Sequence, residues 1–224
     1  MTSSLESPFD PILIEVMSAE TPSLSVDEVQ SMYEYQVPIV AEGGACSRKK
    51  EMAAEPYCLA DSLGLGKDYE ALATHPQTAR IWCLGKIMKL LAEEISAEWV
   101  GVYRSVDLGS GPVLLKEAYV GRPSRAEFPL TKEFAENSNN STVGLTGKAI
   151  LVENTYTYAG PYYMCDQDVQ SEYCTPIIDE SSGAVLGIID AEAFRPEHFT
   201  TEFRARIDKV CAGIASSGLL RPVD

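Results

Sequence analysis

Between Pro76 and Ile95 the apolar residues Ile81, Leu84, Met88, Leu91 and Ile95 recur at three- and four-residue spacing. That spacing predicts one amphipathic helix with a single apolar stripe, which must be laid against something flat. Pro76 suits its first turn. The flat partner follows directly, because Glu98 to Val106 and Val113 to Val120 alternate as strands around the turn Asp107-Leu108-Gly109-Ser110-Gly111-Pro112. A second strand pair, around 172–178 and 185–192, flanks the tight polar turn Asp179 to Gly183. A last helix then starts at Thr200 or Thr201, with the stripe Phe203, Ile207, Val210 or Cys211, and Ile214. Strands joined by short turns pair antiparallel, and two one-sided helices at the ends suit one face of a shared sheet. The expected class is α+β: a central antiparallel sheet, terminal helices on one face and a loop-built pocket on the other.

The second strand pair carries carboxylates where apolar side chains are expected. By the two-residue period Leu186, Ile188, Asp190 and Glu192 share one face, and on the preceding strand Glu172 and Cys174 share one face. A lone buried carboxylate is costly, so these acids must be paired, hydrogen-bonded or protonated, or line a pocket. Cys165 lies in the polar loop just before them, behind Tyr156, Tyr158, Tyr162 and Tyr163.

Residues 1–72 differ from the rest, being rich in Ser, Glu, Pro and Ala with short apolar bursts at Pro11 to Val16 and Val37 to Val40. They read as an extension, partly helical or irregular, that packs on the main domain, mediates a homodimer or is partly mobile. The main domain is expected over 73–218 and a tail over 219–224. Between the strand pairs, Arg122 to Thr142 reads as a long loop around a short strand or turn at Phe128 to Leu130. Gly144-Leu145-Thr146-Gly147 reads as opening a short helix into Ala149-Ile150-Leu151.

Composition excludes several functions. With 33 acidic against 18 basic residues, a formal charge of −15, the chain has no basic footprint for nucleic acid or an anionic membrane. The run Arg48, Lys49, Lys50 reads as a solvated surface patch. No apolar run approaches the roughly 20 residues needed to span a bilayer. The first residues, MTSSLESPFDP, lack a signal-peptide pattern, so a cytoplasmic location is expected. The six cysteines show no short pairings and there are only two histidines, His75 and His198, so neither a disulfide framework nor a metal site is expected.

Taken together, these residues resemble a GAF domain over roughly Pro76 to Ser217, and within that superfamily the free methionine-R-sulfoxide reductases. Trp99-Val100-Gly101-Val102-Tyr103 is similar to that family's WVGFY strand, Gly121-Arg122-Pro123 to its GKP turn and Gly144-Leu145-Thr146-Gly147 to its GVCG. Ser171-Glu172 through Pro176-Ile177-Ile178 is similar to SEIVVPI, and Leu186 through Glu192 to LGVLDID. The resemblance implies Cys165 as the catalytic nucleophile, Glu172 and Asp190 as carboxylates holding the substrate amine and sulfoxide, and Glu192 where the family has Asp. It also implies Trp99 and Tyr103 as pocket aromatics, and Tyr163 is a further candidate pocket wall. No bound cofactor is implied, only an external thiol reductant such as a thioredoxin.

Arg125 and Thr146 stand where that family supplies its partner thiols. Cys174, on the Glu172 face, is the candidate replacement in the catalytic set. Two readings follow: thiol-dependent reduction of free methionine-R-sulfoxide or a similar small sulfoxide, leaning towards an enzyme, or a non-catalytic domain that senses an amine-bearing ligand or redox state. A third, an interaction module using the extension and the helical face, remains open. Asp166, following Cys165, argues against bilin attachment, and cyclic-nucleotide binding lacks a phosphate-cradling glycine loop.

Overall fold

The computed structural model describes residues 10–39, 51–160, 162 and 166–221. The loop at 42–50 with its Arg48-Lys49-Lys50 run, Tyr163 and Cys165 lie outside the described residues. The extension is built from small capped elements: α1 (Pro11–Ser18), α2 (Val26–Tyr33), β1 (Glu34–Tyr35), β2 (Tyr57–Cys58), α3 (Leu59–Ser62) and α4 (Tyr69–Leu72). Asp10 caps α1 by accepting from the Ile12 amide at 2.9 Å, and Ser25 and Glu28 cap each other reciprocally at the start of α2. The apolar burst at Pro11 to Val16 is helix α1. It buries Ile12, Leu13 and Val16 against the main core.

The striped helix is α5 (Pro76–Ile95), with Pro76 in its first turn and the His75 Nδ1 accepting from the Gln77 amide at 3.1 Å. All five stripe residues are buried. There follow β3 (Trp99–Asp107), β4 (Pro112–Val120), β5 (Glu127–Pro129), α6 (Lys132–Ala135), α7 (Asn139–Thr146), β6 (Ile150–Val152), β7 (Ser171–Ile178), β8 (Val185–Ala193) and α8 (Thr201–Ser217). Six strands form one antiparallel sheet in the order β5-β4-β3-β8-β7-β6. Helices α5 and α8 cover the face bearing Val100, Val102, Ile177, Ile189 and Ala191, as the paired stripes require. The opposite face carries Trp99, Tyr103, Leu114, Cys174 and Ile188, covered in part by Val143 of α7 and Leu130.

Two local expectations are corrected. The Asn-rich stretch 136–141 does not stay a loop, because Ser138 accepts from the Ser141 amide at 3.3 Å and so caps α7. Gly147 ends that helix in a left-handed conformation at φ 65°. The Gly144–Gly147 segment therefore closes a helix instead of opening one, and Ile150-Leu151 pairs with β7 as a strand. His198 is buried, with its Nε2 2.8 Å from the Ile95 carbonyl oxygen.

A buried ion triad fixes α5 to the sheet. Arg80 donates to Glu117 from both terminal nitrogens, at 2.5 and 2.8 Å, and Arg104 donates from Nε at 2.6 Å. Burial pushes the Glu117 carboxyl up, but the two guanidiniums outweigh it and hold it below the usual range. Arg80 also reaches the Leu219 carbonyl at 3.0 Å and so ties in the chain end.

Candidate functional site

Strand register decides which side chains meet. Trp99 pairs with Glu192, Gly101 with Asp190 and Tyr103 with Ile188 across β3 and β8. Glu172 pairs with Glu192 and Cys174 with Asp190 across β7 and β8. Three carboxyls therefore stand on one small area of the sheet, on the face opposite α5 and α8. Glu172 and Asp190 are each 3% exposed and Glu192 8%.

Helix α7 lies over this acid cluster. Asn140 donates from Nδ2 to Asp190 Oδ2 at 2.9 Å, and Asn139 donates from Nδ2 to Glu172 Oε1 at 3.3 Å. Tyr162 also hydrogen-bonds the Glu172 carboxyl. Neither asparagine was among the candidates read from sequence. The signal that could have found them is the N-cap at Ser138, which starts a helix whose first two residues are Asn139 and Asn140.

Burial is the main force on the acids, and the mutual repulsion of their charges adds to it. Glu172 is pushed well above the ordinary carboxylate range by burial, then by the charges of Asp190 and Glu192. Asp190 is pushed by burial to about 6, against the pull of Asn140 and of a hydrogen bond from Glu172. The Ala191 amide also favours the Asp190 anion. Because burial raises both carboxyls and Glu172 hydrogen-bonds Asp190, the two titrate as a pair, in which one proton can be held between them.

The aromatic side of the site is set by glycine. A Cβ at Gly101 would sink into the Trp99 indole, so the ring can lie across Gly101, directly beside Asp190 in register. Trp99 Nε1 donates to the Arg122 carbonyl at 3.0 Å, and the Tyr103 hydroxyl donates to the Arg125 carbonyl at 3.3 Å. Arg122 ion-pairs with Asp166 at 2.7 Å and Asp168 at 2.6 Å, and its guanidinium lies 4.5 Å from the centre of the Phe194 ring. Trp99, Arg122, Asp166 and Glu192 line a hollow of about 10 Å³, roughly the space of one water.

Cys174 is fully buried among these acids, and burial, then the Asp190 and Glu172 charges, push its thiol well above the usual range. Glu172, Asp190, Glu192, Cys174, Trp99 and Tyr103 are thus brought together. Arg125 lies over the Phe128 and Phe134 rings, at 5.6 and 4.8 Å. Thr146 bonds within α7 to the Thr142 carbonyl at 2.7 Å. Among the described residues no cluster of three or more His, Cys, Asp or Glu is arranged to hold a metal, and no helix is long and apolar enough to cross a membrane.

A family model described as GAF domain matches residues 83–217. No curated protein matches the chain. Among solved structures, the type II free methionine-R-sulfoxide reductase of Thermoplasma acidophilum aligns at TM-score 0.55 and 20% identity, covering 64% of this chain and 94% of that one. A GAF sensor protein from Burkholderia vietnamiensis aligns at TM-score 0.54 and 19% identity, covering 64% and 85%. The free methionine-R-sulfoxide reductase of Neisseria meningitidis, solved with its substrate, aligns at TM-score 0.50 and 20% identity, covering 68% and 81%. At these identities the likeness is one of fold, and it spans both a reductase and a sensor.

Proposed function

This chain belongs to the GAF domain family, and on that premise we propose that its acid cluster binds a small amine-bearing sulfoxide, free methionine-R-sulfoxide or a close relative, and that Cys165 reduces it. The observation that carries this reading is the buried Glu172–Asp190 pair held on one sheet area under Asn139 and Asn140, with burial pushing both carboxyls up. A carboxylate takes the ammonium of a free amino acid, while a protonated carboxyl beside it supplies the proton that a departing sulfoxide oxygen needs. In sequence Cys165 lies between two residues that stand at that site, Tyr162, which reaches Glu172, and Asp166, which Arg122 holds.

The Cys165 thiolate attacks the sulfoxide sulfur and the oxygen passes to Cys165, leaving a thioether and a sulfenic acid, with Glu172 as proton donor. Two electrons then come from outside: one dithiol, of thioredoxin type, or two small thiols reduce the sulfenic acid, forming a disulfide and releasing water. Cys174 is a poor internal partner, because burial holds its thiol protonated and the thiolate is the attacking form. An external thiol is the consistent reductant.

The second reading, binding without turnover, is favoured by Arg125 and Thr146 at the positions where the resemblance calls for partner thiols. One experiment separates the two. Purified protein is given free methionine-R-sulfoxide with dithiothreitol or a thioredoxin system, beside Cys165→Ser. Turnover that vanishes in Cys165→Ser supports the reductase; calorimetric binding with no turnover in either protein supports the sensor. Absence of both binding and turnover sinks the assignment of an amine-bearing sulfoxide.

A further inference from the structure

A groove of about 470 Å³ runs between the extension, α5 and β4; none of Glu172, Asp190 and Glu192 is among its described lining residues, and its wall Tyr119 stacks on Trp99 at 6.1 Å. Its volume falls within the range of small-molecule sites, roughly 300–1,000 Å³. The walls are aromatic: Tyr35 from β1, Trp82 from α5 and Tyr119 from β4. Tyr35 and Tyr119 meet edge to face at 5.5 Å, which fixes one side.

The contribution of α5 is a stripe of Ile81, Trp82, Gly85, Lys86 and Lys89, residues that share one side of a helix. Gly85 is the informative member. A glycine in mid-helix disfavours the helix relative to alanine, yet a Cβ here would meet nothing within 4 Å. Packing against a neighbour therefore does not explain it. The glycine leaves the groove open at its centre.

The charge around the groove is positive although the chain is not. Lys86 and Lys89 are exposed at its edge, and the Lys86 ammonium lies 5.7 Å from the centre of the Trp82 ring. Among the described residues Lys89 makes an exposed 4.0 Å contact with Glu93. Glu117 is the one acid among the described lining residues, and Arg80 and Arg104 hold it two guanidiniums to one carboxylate. At physiological salt the distant acids are screened over about 8 Å, so this local arrangement governs what is attracted.

We propose that this groove is a second binding site, for a small monoanion with a flat apolar body, an aromatic carboxylate in chemical class. The ring would lie against Trp82 and Tyr119 over Gly85, with its carboxylate towards Lys86 and Lys89. The site stands independently of the acid cluster and of any reduction there.

The test titrates the full chain by calorimetry with 2-naphthoate and with the neutral isostere 2-naphthamide. Saturable one-to-one binding of the naphthoate is expected, with the amide at least about tenfold weaker because the charge-assisted bond is lost. Gly85→Phe or Gly85→Leu fills the groove and should abolish binding. Since their side chains enter open space on a helix, both variants should melt no lower than the wild type. The Lys86→Gln/Lys89→Gln variant should bind both compounds alike. Asp190→Asn should leave naphthoate binding unchanged. No saturable binding, equal binding of acid and amide to the wild type, undiminished binding in the filled variants, or loss of binding in Asp190→Asn would each overturn the proposal.

Discussion

Asn140 of α7 donates from Nδ2 to Asp190 Oδ2 at 2.9 Å, so a helix that begins in a polar, asparagine-rich stretch supplies the hydrogen bond that holds a carboxylate of the central strand β8. The bond joins residues 50 apart in sequence and is buried. It pulls the Asp190 carboxyl down against burial, because the amide stabilises the charged form.

Removing that donor should cost stability and shift a titration in one direction. Asn140→Ala is expected to lose about 1–3 kcal/mol, the usual cost of leaving a buried polar group unsatisfied. The Asp190 midpoint should rise from about 6, because the amide that favoured the anion is gone. Carbon-detected NMR titration of Asp190 in both proteins reads the shift; an unchanged or lowered midpoint would falsify the role given to Asn140.

The shared proton also sets a pH dependence. Both carboxyls are raised in the folded protein, so it retains protons that the unfolded chain releases near pH 4. Their stabilising contribution is complete below that value. It is lost as pH rises through about 6, where Asp190 ionises, and further as Glu172 follows. Urea unfolding from pH 5 to 8 should therefore show wild-type stability falling with pH more steeply than that of Glu172→Gln, which keeps a donor for Asp190 without a proton to lose.

Glu117→Gln should be among the most destabilising conservative changes in the chain. It removes the anion between Arg80 and Arg104 and leaves two buried cations uncompensated, at a cost of about 3–5 kcal/mol. Chemical denaturation measures it. A loss below about 1 kcal/mol would mean that the triad is hydrated or dispensable.

Gly101→Ala tests the aromatic side of the site. The added methyl displaces the Trp99 indole and strains its bond to the Arg122 carbonyl, with a cost of about 1–3 kcal/mol for overpacking. Trp99 fluorescence should shift, most cleanly in a Trp82→Phe background. Unaltered emission would show that the ring does not depend on the missing Cβ.

Thiol reagents should discriminate among the cysteines. Cys174 and Cys211 are buried with raised thiols, so alkylation of the native protein followed by peptide mapping should leave both unmodified until denaturant is added. Rapid native labelling of Cys174 would contradict its burial, and would restore it as a partner for Cys165.

Periodicity alone sufficed for much of this molecule. The stripe Ile81, Leu84, Met88, Leu91, Ile95 specified α5, and alternation along 172–174 and 186–192 placed Glu172, Cys174, Asp190 and Glu192 on one face each of β7 and β8. A period of two is a local property of a strand, so side-chain direction follows from sequence without knowing the neighbour. The tyrosines before Cys165 were ambiguous by the same logic: Tyr162 reaches Glu172, while Tyr156 is exposed, and no local pattern separates them.

What sequence could not supply was which strand lies beside which, and what covers the acids. β8 sits between β3 and β7, so Asp190 faces Gly101 on one side and Cys174 on the other, a pairing of residues 89 and 16 positions apart that register alone decides. Helix α7 lacks an amphipathic stripe to announce it, because beside Val143 its buried residues are Asn139, Asn140 and Ser141, and the asparagines bond to partners distant in the chain. The sequence by itself determined that three carboxyls must be buried or must line a pocket; only the tertiary structure decided that they share one sheet area under two asparagines, because hydrogen-bond partners and proton sharing depend on distances that no local spacing encodes.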